Sequence, residues 1–331
     1  MRKSWLALFA LSLGLSLAVP LLYGGLDSLR ALRGVPVWAL AALLAMVGAG
    51  WVLNAARIRL LATGLGGRLG RRRALLTVIA SEFAGVATPA NVGNAPTYVL
   101  LLSRHGLTVG QAAAVVAVDG LTDLVFFATA IPAALLLFAL DRGVSGPLRL
   151  GGLLLALTLL GVAALGLLLR HYRQLALWLG RRLHHTARLR RLRFRLARGL
   201  IQFRRAVQLL LAMGPWRLGL LYLYCVGHWM LRYGVLPAIL WLMDQAVPWG
   251  YLFLMQGLLL FLGQLIVLPG GGGGVELGFG AMLAPYLDPV TSASVLLLWR
   301  FCTFYWYLLA GAPVFALLSG RAVSELARRS T

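Results

Sequence analysis

Leu268-Pro269-Gly270-Gly271-Gly272-Gly273-Gly274-Val275-Glu276 interrupts one apolar stretch of this chain, and Thr88-Pro89-Ala90-Asn91-Val92-Gly93-Asn94-Ala95-Pro96 interrupts another. Proline removes a helical donor and glycine disfavours helix, so both stretches are predicted to break at these points. The arms beside the breaks are short. Ala74 to Val86 offers 13 residues before the first break and Thr97 to Leu102 follows it; Tyr251 to Leu268 and Val275 to Tyr286 flank the second.

The chain around them is built for a membrane. Of 331 residues, 60% are hydrophobic and 12% charged, against roughly a quarter charged in a soluble domain. Apolar runs approaching or exceeding the ~20 helical residues that cross a hydrocarbon core recur: Trp5–Leu22, Val37–Leu53, Gln111–Leu140, Leu148–Leu169, Leu218–Trp241 and Thr291–Leu318. The first follows Met1-Arg2-Lys3 without an A-x-A cleavage site and is read as a retained span. The expected fold is therefore an all-α polytopic membrane protein with about six full spans and two broken segments.

Broken backbone at membrane depth is tolerated only where protein or a water-filled cavity surrounds it. Each broken segment is thus a kinked crossing or a re-entrant hairpin, and positive charge decides between them. The net charge is +22, and Arg170 to Arg217 holds 13 arginines with no lysine and no acid. Positive residues in short loops mark the cytoplasmic side. This divides the chain into an N-terminal membrane half (1–169), a cytoplasmic linker (170–217) and a C-terminal membrane half (218–331), with both termini cytoplasmic. The broken segment at about 74–102 then enters from inside, and that at about 251–286 from outside. On this topology the stretch Arg57–Arg73, with six arginines, is a cytoplasmic loop, and Arg232 and Arg300 are the two basic residues inside the membrane. Pro89 and Pro269 are 180 residues apart, as are Gly120 and Arg300. Inverted repeats with discontinuous helices meeting near the midplane are a recurring transporter design.

Outside loops and linker, four acids stand in apolar surroundings: Glu82, Asp119, Asp123 and Glu276. Intramembrane ionisable residues are costly and face the protein interior or a polar cavity. With Arg232, Arg300 and the break residues Pro89, Asn91, Gly93, Asn94, Pro269, Gly270, Gly271 and Gly273, they are the candidate lining of such a cavity. Arginine suits an anionic headgroup because its planar fork meets phosphate oxygens bidentately. The alternative is that the arginines pair with Asp119, Asp123 or Glu276 to lock helices together. His228 reads as hydrogen-bonded structure. Cys225 and Cys302, far apart in apolar spans, do not indicate a disulfide. The expected partners are membrane lipids with anionic headgroups, with a homo-oligomer or a separate lipid-modifying enzyme also compatible. No nucleic-acid motif accompanies the charge, and neither a cofactor nor a metal is implied.

Leu268-Pro269-Gly270 through Val275-Glu276, followed by Trp299-Arg300 and Leu309-Ala310-Gly311, resembles the flippase-like transmembrane region of lysylphosphatidylglycerol synthases. Thr88-Pro89 through Gly93, Ser103-Arg104-His105-Gly106-Leu107 and Asp119 to Asp123 resemble that family's other motif. Its P-G-G-x-G-x-x-E pattern matches Pro269, Gly270, Gly271, Gly273 and Glu276, and its Y-R matches Trp299-Arg300. Its E-R-x-x-D pattern falls on Asp119 and Asp123, with Gly120 in place of the arginine. With Thr331 as the last residue, the soluble aminoacyl-transferring domain of the bifunctional synthases is expected to be absent. The resemblance implies a bacterial inner-membrane protein that translocates an anionic or phosphate-bearing lipid and is not an enzyme. No P-loop pattern is present, so movement is expected to be downhill or ion-coupled. Two other readings fit the residues: a membrane transferase using Asp119 and Asp123 with a divalent metal, since carboxylates four apart share a helix face, and an assembly subunit without transport.

Overall fold

A computed structural model describes residues 2–141, 212–266 and 268–329, together with Gln174 and Gln208. The described residues are helical throughout apart from short turns. The helices are α1 (Arg2–Gly24), α2 (Asp27–Leu32), α3 (Val37–Gly64), α4 (Arg71–Val86), α5 (Asn94–Ser103), α6 (Val109–Asp141), α7 (Pro215–Leu242), α8 (Trp249–Leu265), α9 (Gly274–Leu283), α10 (Pro289–Arg300) and α11 (Trp306–Arg329). A π-helical turn, Phe301–Tyr305, joins α10 to α11 without interrupting the rod.

Four helical stretches among these residues are both long and apolar enough to cross a bilayer: Ala7–Gly24, Val37–Gly64, Val109–Asp141 and Pro289–Leu318. They correspond to four of the six runs in the sequence. The run Leu218–Trp241 folds as α7, 28 residues long; its tyrosines and tryptophans, with His228 and Arg232, dilute its hydropathy. The run Leu148–Leu169 and nearly all of the Arg-rich linker lie outside the described residues.

One correction concerns Arg57–Arg73, read above as a loop. Helix α3 continues through Arg57 and Arg59 to Gly64, and α4 already includes Arg71, Arg72 and Arg73, so the connection is only 65–70. The physical reason is that the buried stripe Val47, Trp51, Asn54, Ile58 and Leu61 runs on past the apolar segment. At helical spacing, a helix continues as long as it has a face to bury.

Both predicted breaks are present, and they follow the same backbone path. Thr88 and Leu268 are extended, a 3-10 turn opens at Pro89 and at Pro269, and the next two residues are left-handed: Ala90 (φ 52°) and Asn91 (φ 57°) in one, Gly270 (φ 62°) and Gly271 (φ 68°) in the other. The helices resume at Asn94 and Gly274 and end at Ser103 and Leu283; the next helices begin at Val109 and Pro289. Every one of these correspondences keeps the 180-residue offset, so α3–α6 and α7–α11 are two copies of one unit.

Packing exchanges arms between the copies. Helices α3 and α7 lie along each other at the centre, α4 packs on α11 of the other copy, and α8 packs reciprocally on α6. The two breaks pack directly against each other. The principal core cluster runs through this junction, with Leu43, Val47 and Ile58 of α3 against Val235, Leu236 and Ile239 of α7. Helix α1 lies over the second break, where Ser12 donates to the carbonyl of Pro269.

Candidate functional site

Each break is fixed by local contacts. Thr88 Oγ1 donates to the Ala84 carbonyl and accepts from the Gly93 amide at 2.8 Å, tying the end of α4 to the start of α5. Gly93 lies on the Ala84 carbonyl, and the Asn91 amide packs onto Gly85, so neither glycine has room for a Cβ. In the second break the Phe304 ring lies where a Gly270 side chain would be, and the Gly270 carbonyl accepts from Arg300 Nη1 at 3.1 Å. Gly273 holds φ 84° just before α9, and Glu276 is in that helix's first turn, where the helix dipole favours a carboxylate.

The intramembrane charges form two groups. In the first, Arg57 of α3, 2% exposed, makes an ion pair from Nε with Asp119 Oδ1 and donates from Nη1 to Asp123 Oδ1, both at 2.6 Å. Asp123 also accepts from Trp229 Nε1 at 2.7 Å and from the Cys225 thiol at 3.5 Å. One turn beyond Trp229 on α7, Arg232 meets Glu82 of α4 at 3.3 Å and donates to the Tyr307 hydroxyl at 3.2 Å, its guanidinium near the Trp229 and Tyr307 rings. The buried Tyr98, held by Asn54 Nδ2, lies within electrostatic reach of Glu82, Asp119, Arg57 and Asp123. In the second group, Arg300 and Glu276 make an ion pair at 2.7 Å with side-chain exposures of 4% and 0%.

The two groups differ chemically. Arg300–Glu276 is sealed, and its one aligned hydrogen bond goes to the backbone of the second break, so its geometry is that of a clamp. The first group sits where α3, α4, α6 and α7 converge, and part of it is accessible: side-chain exposure is 25% for Asp123, 14% for Asp119, 13% for Glu82 and 19% for Arg232. It holds three carboxylates and two guanidiniums, leaving one acid in excess when all are ionised. Asp119 and Asp123 each give an oxygen to Arg57, an arrangement that places a guanidinium where a shared divalent metal would stand.

The structure thus distributes the sequence candidates over three places. Pro89, Asn91, Gly93, Asn94, Pro269, Gly270, Gly271 and Gly273 form the two touching breaks; Glu82, Asp119, Asp123 and Arg232 form the accessible junction; Glu276 and Arg300 form the clamp. Sequence reasoning missed Arg57, which supplies the cation for Asp119 and Asp123 that Gly120 does not. Its signal was spacing: Arg57 is three residues beyond Asn54, on the same face of one helix. His228 donates from Nδ1 to the Gly50 carbonyl at 3.0 Å, and Cys225 and Cys302 are free and buried.

Long apolar helices, two broken helix pairs and charges buried at their junction define an integral membrane protein with an internally duplicated helical core. The chain matches the family described as "Lysylphosphatidylglycerol synthase TM region" over residues 6–311 and belongs to it. It is also similar to a protein described as "UPF0104 membrane protein" from Archaeoglobus fulgidus, with 25% identity over 270 residues that cover 79% of this chain and 81% of that one.

Proposed function

We propose that this protein is a flippase-like translocator that carries a phosphate-bearing lipid between the leaflets of the cytoplasmic membrane along the seam of two inverted repeats. The observation that carries this reading is the meeting of the two breaks, each from one repeat and each with the same backbone path, in a molecule that also holds partly accessible intramembrane charges where α3, α4, α6 and α7 converge. Charge supports opposed, re-entrant entry of the two broken pairs. The open ends of the first carry Arg68, Arg71, Arg72, Arg73 and Arg104, whereas those of the second carry Asp244 and Asp288 and no basic residue. Discontinuous helices at the interface of inverted repeats let polar groups line a path through the hydrocarbon core. With Arg57 and Arg232 already paired, a phosphate entering the junction competes with Asp123 or Glu82 for a guanidinium. The excess carboxylate provides a counter-charge for a proton, a cation or an amine on the headgroup.

Proteoliposomes containing labelled phosphatidylglycerol test the proposal, with leaflet exchange followed by chemical quenching of the outer label. Exchange faster than in protein-free vesicles, reduced at least tenfold by Asp123→Asn in a normally folded protein, supports it. No exchange of any phosphate-bearing lipid, with or without a proton or sodium gradient, refutes it and favours an assembly subunit.

A further inference from the structure

At the end of the first broken pair opposite the break lies a cleft of about 520 Å³ between α4, α5 and the distal part of α11. This volume falls in the range of small-ligand sites. Its polar wall is Arg72, Arg73, Arg104 and His105, and its apolar floor includes Leu76 and Leu101. Arg104 is anchored, donating from Nη1 to the Leu318 carbonyl at 2.9 Å. Arg72 and Arg73 are exposed in the first turn of α4 and have no ion-pair partner among the described residues. Among the described lining residues there is no acidic side chain.

Three guanidiniums in a concave site, with no carboxylate among its described lining residues, differ from scattered loop arginines, which mark topology and stay fully hydrated. The walls bring the charges together, and the N-terminus of α4 adds its dipole to the same field. His105 reports that field: partial burial, and then Arg73 and Arg104, hold its imidazole below the usual histidine range. A neutral imidazole still has one N–H to donate.

We infer that this cleft is an anion site for a phosphate group, with Arg73 and Arg104 as its principal ligands and the leucine floor receiving the glycerol end of a lipid headgroup. The site is distinct from the charged junction, and binding there is read separately from transport.

The full-length protein in uncharged maltoside micelles is titrated calorimetrically with three probes: dihexanoyl-phosphatidylglycerol, inorganic pyrophosphate and phosphate-free dihexanoylglycerol. The phosphatidylglycerol is expected to bind, with affinity falling about tenfold for each charge-assisted contact removed by Arg73→Gln or Arg104→Gln. Because Arg104 also holds Leu318, the exposed double variant Arg72→Gln/Arg73→Gln serves as the fold-neutral version, checked by an unchanged unfolding midpoint. Competition by pyrophosphate, with the same dependence on the arginines, assigns the site to phosphate itself; lipid binding that pyrophosphate cannot displace assigns it to a lipid headgroup. Affinity unchanged in all these variants, no binding of either phosphate probe, or equal binding of dihexanoylglycerol overturns the inference. Loss of binding and loss of leaflet exchange are separate readouts, so failure of the cleft leaves the transport proposal standing and the converse holds too.

Discussion

Arg300→Gln removes the cation from a carboxylate that has no exposure at all. Glu276 is 0% exposed, its ion pair with Arg300 spans 2.7 Å, and Arg300 also holds the Gly270 carbonyl of the second break. Breaking a buried pair by removing one partner costs about 3–5 kcal/mol, a loss of roughly two to nearly four orders of magnitude in the folding equilibrium. Arg300→Lys keeps the charge but loses the planar fork that reaches both Glu276 and Gly270, so it should recover only part of the loss. Replacing both members, as in Arg300→Met with Glu276→Gln, should cost well under the sum of the single losses, because no uncompensated charge stays buried. Equilibrium unfolding in mixed detergent–dodecyl sulfate micelles, followed by tryptophan fluorescence, ranks these variants, and with the single variants Arg300→Met and Glu276→Gln added it yields the coupling energy. An Arg300→Gln protein with the parental unfolding midpoint and normal abundance would refute the clamp.

The two breaks share a backbone but not a sequence, so the same kind of exchange should act in opposite directions. Gly270→Ala puts a methyl group onto the Phe304 ring at φ 62° and should destabilise by at least ~1–2 kcal/mol, whereas Ala90→Gly relieves a left-handed alanine at φ 52° and should be neutral or stabilising; unfolding midpoints of the pair decide it. Asp288 caps α10 by accepting from the Val290 and Thr291 amides at 3.0 and 3.1 Å, so Asp288→Ala should cost ~1 kcal/mol. Interaction with the Thr291 side chain first, and then these amide bonds, holds the Asp288 carboxyl below its ordinary value. Its contribution is therefore complete above the unfolded pKa of about 3.9 and disappears as pH falls through the lower folded value, a small effect at so exposed a site. A pH titration of the Asp288→Ala difference should show it shrinking only below about pH 4.

The breaks were legible because proline and glycine act on the backbone where they stand. Leu268-Pro269-Gly270 and Thr88-Pro89 state the interruption without any knowledge of neighbours, and the 180-residue offset relates one to the other. The helix runs were legible for the same reason, since length and apolarity are local. Partner choice was not. Hydropathy does not say which helix face meets which, so the sequence left Arg232 and Arg300 open to any of several acids, and only packing gives Arg232 to Glu82 and Arg300 to Glu276. Arg57 was hidden more deeply, because an arginine just past an apolar run has the form of a topology signal. What distinguishes it is that α3 continues to bury a face beyond it, bringing the side chain under Asp119 and Asp123 on α6.

The opposed entry of the two broken pairs is the claim from which the seam, the inverted repeat and the transport route all follow. Single cysteines placed at Gly106 and at Asp288, in a protein whose Cys225 and Cys302 are replaced by alanine, put one thiol at the open end of each pair. Labelling intact, right-side-out membranes with a charged, impermeant maleimide should modify Asp288→Cys at once and Gly106→Cys only after the membrane is permeabilised. Equal modification of both from the same side would show that one broken segment crosses the bilayer completely, and the inverted-repeat account would fall.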